Sequence, residues 1–212
     1  MNETETTSEY MPPEESWSAK DAFLAVGAFV VIAILAVGAY FFYQSTKPPM
    51  VIEGSIAPEF TYPTLAGGEA SLSDYRGKVV LLNVWNTACI ECKREMPLME
   101  IKYRGMKDKP FEILAVSNDR RGATDVQPFV DNLFTEEGRP IELTFPILLD
   151  TEDKIGRNYQ VVRYPESFIL DKEGVVAKII IGRLTERDFL YMEGLTEGKP
   201  QPQADYHQNT TS

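Results

Sequence analysis

Between Ala22 and Tyr43 the chain reads AFLAVGAFVVIAILAVGAYFFY, 22 residues without a charge. A core helix of a soluble domain would keep a polar face, and this segment has none. At about 1.5 Å per residue it spans roughly 33 Å, enough for the hydrocarbon core of a bilayer. Tyr40, Phe41, Phe42 and Tyr43 gather at one end and Trp17 lies before the other, as interfacial anchors do. A cleavable signal peptide is the competing reading. It would start basic and carry a shorter apolar stretch of about 7–15 residues. Here Glu3, Glu5, Glu9, Glu14, Glu15 and Asp21 face the single base Lys20. The expectation is therefore an uncleaved, single-pass membrane anchor over 22–43. Lys20 and Lys47 flank it on either side, so the positive-inside rule does not orient it.

The rest of the 212 residues is enough for one domain with a real core. The net charge of −11 argues against nucleic-acid binding, which needs a basic face. Residues 1–21 are acidic and poor in apolar side chains, the composition of a disordered segment. Residues 44–56, QSTKPPMVIEGSI, read as a linker with a Pro-Pro pair. The globular part is placed at 57–198, and the polar residues 199–212 form a flexible tail.

Within the globular part, strand and helix patterns alternate. EFTYPTL and EASL form a hairpin through Gly67-Gly68, and SDYRG a tight turn. KVVLLNVW is a near-continuous apolar run, a strand buried on both faces. About 15 residues of helix follow, through Met106, and then the strand FEILAVSND. Residues 124–137 read as an amphipathic helix interrupted near Pro128. FPILL is a strand, EDKIGRNY a helix, SFILDKEGVVAKIIIG two strands joined at Asp171–Gly174, and 185–195 a closing helix. The order β-β-β-α-β-α-β-α-β-β-α predicts an α/β fold, a mixed central sheet flanked by helices.

Both cysteines, Cys89 and Cys92, fall in WNTACIECKREMP where the buried strand passes into a helix. A structural staple closing so small a loop stabilises little. A zinc site needs at least three protein ligands, and the only histidine, His207, lies in the tail, so carboxylates would have to complete it. The third possibility is thiol–disulfide exchange. Residues three apart share one side of a helix. Cys89 would sit at the helix N-terminus, where free N–H groups favour a thiolate, with Cys92 one turn in and less exposed. A two-residue spacing after a strand in an α/β pattern is the signature of that chemistry.

The stretch VVLLNVWNTACIECKREMP resembles the active-site segment of thioredoxin-fold proteins, specifically the membrane-tethered TlpA/ResA/CcmG (DsbE-like) group. APEFTYPTLAGGEASLSDYRGK before it and YPESFILDKEGVV after it carry the same resemblance. It covers about residues 54–196. It implies a thioredoxin-like core with extra N-terminal strands, no cofactor beyond a redox-active Cys89–Cys92 disulfide, and no metal. Cys89 would attack and Cys92 resolve. Pro165 would be the family's cis-proline and Tyr164 its groove-shaping neighbour. Trp85 joins them as a substrate-site residue, although core packing explains a tryptophan there equally well. Glu95 would help move protons, the alternative being an ordinary solvated glutamate. Many thioredoxins use a buried aspartate two positions before the tryptophan, where this chain has Asn83. Pro97 matches a kink that relatives share.

Two positions depart from the family: Ala88 stands where tryptophan is common and Glu91 where proline is common. A carboxylate between the thiols disfavours a thiolate, which points toward a reductant. The resemblance implies a cell-membrane enzyme with its C-terminal domain on the extracytoplasmic (periplasmic) side, reducing disulfide-containing proteins such as apocytochrome c with electrons from a membrane thiol carrier. General extracytoplasmic disulfide reduction is the alternative. A peroxiredoxin-like peroxidase would want threonine where Asn86 stands. A copper chaperone would want three residues between the cysteines and a histidine in the domain.

Overall fold

The computed structural model describes residues 19–45, 50–135 and 137–199. The acidic N-terminal segment and the polar tail lie outside those residues, apart from 19–21 and 199. The chain divides into two units, Met1–Pro48 and Pro49–Ser212.

The described residues of the first unit form one helix, α1 (Ala19–Ser45). Its stretch Ala22–Gln44 is long and apolar enough to cross a membrane by length and composition. Its apolar side chains are exposed all round the helix, from Phe23 to Phe42.

The second unit opens with β1 (Thr61–Pro63) and β2 (Glu69–Ser71), an antiparallel pair. Leu72–Tyr75, where a simple turn was expected, is one turn of 3₁₀-helix. The Ser71 N–H that would otherwise be free at its start donates to Asp74 Oδ2 at 2.9 Å. There follow β3 (Val79–Trp85), α2 (Ile90–Gly105), β4 (Phe111–Ser117), α3 (Ala123–Val130) and β5 (Ile147–Leu149). The unit closes with α4 (Lys154–Tyr159), β6 (Glu166–Leu170), β7 (Val176–Ile181) and α5 (Glu186–Thr196). The main sheet has the order β5-β4-β3-β6-β7, with β3, β4 and β5 parallel and β6 and β7 antiparallel to their neighbours. The predicted element order and the mixed sheet are both present.

Every residue of β3 is buried, as its unbroken apolar run requires of a central strand. Its side chains alternate between two cores. Val79, Leu81 and Trp85 pack with Met96 and Met99 of α2 and Phe189 of α5. Val80, Leu82 and Val84 pack with Ile155 and Tyr159 of α4 and Phe168 of β6. The one polar member, Asn83, points to the α2 side by the same alternation.

Two expectations change in detail. The helix predicted over 124–137 ends at Val130. Asn132 Nδ2 takes the Pro128 carbonyl at 2.8 Å, which a continuing helix would give to a backbone N–H, and Gly138 (φ +76°) then turns the chain. Residues 50–56, assigned to the linker, lie along β7. Gly54 N–H donates to the Val176 carbonyl and Val176 N–H to that of Ser55, both at 2.8 Å, and Val51 is buried.

Because Leu81 is wholly buried in the central strand, Leu81→Ala is expected to cost about 2–5 kcal/mol. Leu190→Ala, at a position 59% exposed, should stay within about 0.5 kcal/mol of the parent. Urea unfolding of the full chain in detergent, followed by tryptophan fluorescence, measures both.

Candidate active site

The parallel register pairs Trp85 with Ser117, so β3 and β4 end together. Beyond them the chain turns through Asn86–Ala88. That turn is held by Asp119 just past β4, whose carboxylate accepts from Thr87 N–H at 3.0 Å, Thr87 Oγ1 at 2.6 Å and Ser117 Oγ at 2.7 Å. Cys89 is then the N-cap of α2, with extended backbone (φ −86°, ψ 108°). Its Sγ accepts the Cys92 N–H at 3.1 Å, the part a serine or aspartate oxygen plays at most helix starts. Cys89 and Cys92 are joined as a disulfide. Cys89 is partly exposed and Cys92 fully buried. Pro97 lies inside α2 without ending it.

One turn beyond Cys92, Glu95 is only 1% exposed. Its Oε1 accepts from Asn83 Nδ2 at 2.9 Å and its Oε2 from the Leu184 N–H at 3.0 Å. Burial pushes its carboxyl up to about 7, with the Leu184 and Asn83 hydrogen bonds pulling the other way. It is thus not the solvated helix glutamate that its sequence position alone would suggest. Asn83, which cannot titrate, is the side chain that orients it, and Asn83 also donates to Ser167 Oγ at 2.9 Å.

The Tyr164–Pro165 peptide bond is cis. Pro165 enters β6, the antiparallel neighbour of β3, and its carbonyl accepts the Gly182 N–H at 2.8 Å. Tyr164 and Cys89 are both partly buried against the core on the α2 side of the sheet. The Tyr164 hydroxyl is hydrogen-bonded to Asn118 Nδ2, beside Asp119.

Trp85 stands differently from the grouping made on sequence. Its indole is wholly buried, 5.0 Å between centroids from Phe129 of α3, so it forms floor rather than a surface a substrate touches. Its side chain packs into the α2-side core with Met96 and Phe129. Glu91, the carboxylate between the thiols, has two cationic neighbours. Arg94 donates to its Oε1 at 2.6 Å, and Arg183 Nη1 lies 3.6 Å from its Oε2. Asp119, Asn118, Arg183 and the Leu184 N–H carried no signal in the sequence, because each meets the site through a loop remote along the chain.

Among the described residues no group of three or more His, Cys, Asp or Glu is arranged to hold a metal ion. A cleft of about 710 Å³ lined by Leu65, Tyr75, Leu133, Ile141 and Phe145 includes none of the residues above.

A five-stranded mixed sheet with a Cys-X-X-Cys pair capping the helix after its central strand, and a cis-proline entering the next strand, defines the class: a thioredoxin-like thiol–disulfide oxidoreductase. The comparisons agree, and the chain belongs to the AhpC/TSA family, which matches residues 54–179. The thiol-disulfide oxidoreductase ResA of Geobacillus kaustophilus is 38% identical over 171 residues, 80% of this chain and 93% of that one. The thioredoxin-like protein YneN of Bacillus subtilis is 37% identical over 164 residues, 74% of this chain and 91% of its own length. Among solved structures, a putative thiol:disulfide interchange protein DsbE from Chlorobium tepidum superposes with a TM-score of 0.58 at 28% identity. That match covers 70% of this chain and 97% of the other.

Glu95 generates a pH prediction. Its folded value, about 7, lies above the ordinary carboxyl value of 4.5, so between them the folded state binds more protons than the unfolded one. Stability from this group is therefore lost as pH rises from about 4.5 to 7, by an amount on the order of 3 kcal/mol at most. In denaturant unfolding of the disulfide form, Glu95→Gln should gain on the parent steadily over that interval. Parallel stability curves for the two proteins would show that Glu95 ionises normally.

Proposed function

We propose that this protein is a membrane-anchored, extracytoplasmic reductant of protein disulfides, with Cys89 as the attacking and Cys92 as the resolving thiol. The observation that carries the reading is the graded burial at one helix start. Cys89 caps α2 and is partly exposed, Cys92 lies one turn in and is sealed off, and Glu95, three residues further along the helix, is buried as well.

The reaction runs in two exchanges. In the reduced enzyme, the Cys92 N–H and the helix terminus favour an ionised Cys89 sulfur. That thiolate attacks one sulfur of the substrate disulfide, forming a mixed disulfide and releasing the first substrate thiolate. Cys92 then gives up its proton and attacks Cys89 Sγ. The mixed bond breaks, the second substrate thiolate leaves, and the Cys89–Cys92 disulfide closes. Two electrons have passed to the substrate. Glu95 accepts the Cys92 proton, a task suited to a carboxyl held near neutrality. Tyr164 and the cis Pro165 are the residues assigned to hold the substrate chain beside the disulfide.

The finer assignment is reduction of the haem-attachment cysteines of apocytochrome c during cytochrome c maturation. It is supported by the likeness to ResA and to a DsbE structure. A membrane thiol carrier would return the enzyme to its dithiol form. Anchoring by 22–43, with the redox unit on the extracytoplasmic side, is supported by the apolar helix and by the need for a compartment where substrate disulfides form.

Cys92→Ser, expressed in the source cells, is expected to accumulate mixed disulfides that release their partners on reduction. Cys89→Ser should trap nothing and lose insulin-disulfide reduction by at least about a hundredfold. Recovery of apocytochrome c identifies the specific role, and recovery of a broad set of secreted proteins identifies general reduction. Turnover surviving in Cys89→Ser would refute the assignment. A membrane-impermeant maleimide should label the reduced cysteines in intact cells, or in spheroplasts if an outer membrane is present. Labelling only after lysis of the inner membrane would place the domain in the cytoplasm.

A further inference from the structure

Three consecutive residues between β7 and α5 meet three separate parts of the site. The Gly182 N–H donates to the Pro165 carbonyl at 2.8 Å, and the Leu184 N–H donates to Glu95 Oε2 at 3.0 Å. Between them, Arg183 Nη1 lies 3.6 Å from Glu91 Oε2. Gly182 has φ +103°, a conformation that side chains rarely adopt, so the path of this strap depends on glycine there.

The pairing answers a problem the chain sets itself. Glu91 is one of only two residues between the cysteines, and an anion there opposes ionisation of Cys89. Arg94 also meets Glu91, but its side chain is 62% exposed, whereas that of Arg183 is 42% exposed. Arg183 springs from backbone tied on both sides, so its root is held in place. Along α2 the charged side chains after Glu91 are Lys93, Arg94 and Glu95, and Asp119 lies in the loop after β4. Asp119 is already engaged with Thr87 and Ser117. The proline loop adds Arg163 and the neutral hydroxyl of Tyr164.

We propose that Arg183 is a positioning residue of the redox site: it holds the Glu91 carboxylate in place and offsets its charge, so that Cys89 can ionise although an anion stands between the cysteines. This rests on the reading of Cys89 as the attacking thiol. Both partners are nearly half exposed, so solvent and salt weaken the effect. The expected size is about half a pH unit, roughly a threefold change in thiolate fraction at a given pH.

The test uses the full chain in detergent with Cys92→Ser, which leaves Cys89 as its single thiol, and follows iodoacetamide alkylation against pH. Arg183→Gln should raise the midpoint by about half a unit at low salt, and by much less at about 1 M salt. Arg183→Lys, which keeps the charge, should stay near the parent. In a Glu91→Gln background, Arg183→Gln should have little effect, because the residue acts through Glu91. Arg183 and Glu91 also act electrostatically on Glu95, so the series is repeated in a Glu95→Gln background, where the same shifts are expected. An unchanged midpoint in Arg183→Gln would overturn the proposal. So would a shift that persists undiminished without Glu91, or one equally large in Arg183→Lys. If instead the wild-type protein reduces no disulfide, the functional reading itself has failed. Normal turnover with an unresponsive midpoint removes only the role of Arg183.

Discussion

The covering of β3 on both faces is the constraint from which the rest of this structure follows. A strand walled in by helices above and below can present chemistry only at its ends. At its C-terminal end the chain must leave the sheet and start a helix, and the first backbone N–H groups of that helix need an acceptor. Cys89 supplies it through sulfur. The same place is where the sheet changes character, since β3 has a parallel neighbour on one side and an antiparallel one on the other. Loops from both neighbours therefore converge on the cysteine turn, with Asp119 following β4 and the cis Tyr164–Pro165 bond leading into β6. Crevices at such switch points are where open α/β sheets gather their functional groups.

One turn along α2 from Cys92 the fold keeps a polar group where packing alone would want an apolar one. Glu95 is buried with two hydrogen bonds, one from Asn83 on the central strand and one from the Leu184 backbone. Both donors favour the ionised carboxylate, whereas burial favours the neutral acid, so the two effects oppose each other at this group. The two buried side-chain polar atoms without a partner among the described residues are Asn83 Oδ1 and Trp85 Nε1, both on this floor. Local compromises of this kind gather at sites kept for chemistry rather than for stability. Elsewhere buried acids are fully engaged. Glu100 accepts from Thr144 N–H at 2.8 Å and from Thr144 Oγ1 at 2.7 Å, and Asp150 accepts the Ile155 N–H at 2.6 Å.

Much of the architecture was legible along the chain because it depends on local period and composition. The apolar run of β3, the Gly67-Gly68 turn, the Asp171–Gly174 turn and the helix begun at the cysteines each carry their own signal. The end of α3 was not legible, since it turns on whether the Asn132 side chain or a backbone N–H takes the Pro128 carbonyl. The packing of residues 50–56 along β7 was hidden as well, because its partners lie more than a hundred residues away.

The sequence by itself determined that an uncharged membrane-length segment precedes an α/β unit, and that two thiols stand one helical turn apart at a strand-to-helix junction. Those are statements about neighbours in the chain, and the physics that governs them is short-ranged. Only the tertiary structure decided that Glu95 is sealed from water, that Trp85 is floor and not wall, and that Glu91 has Arg183 for company. Burial and charge pairing are properties of what surrounds a side chain. At this site the surroundings come from loops after β4, before β6 and after β7, which the order of residues brings together only once the sheet has formed.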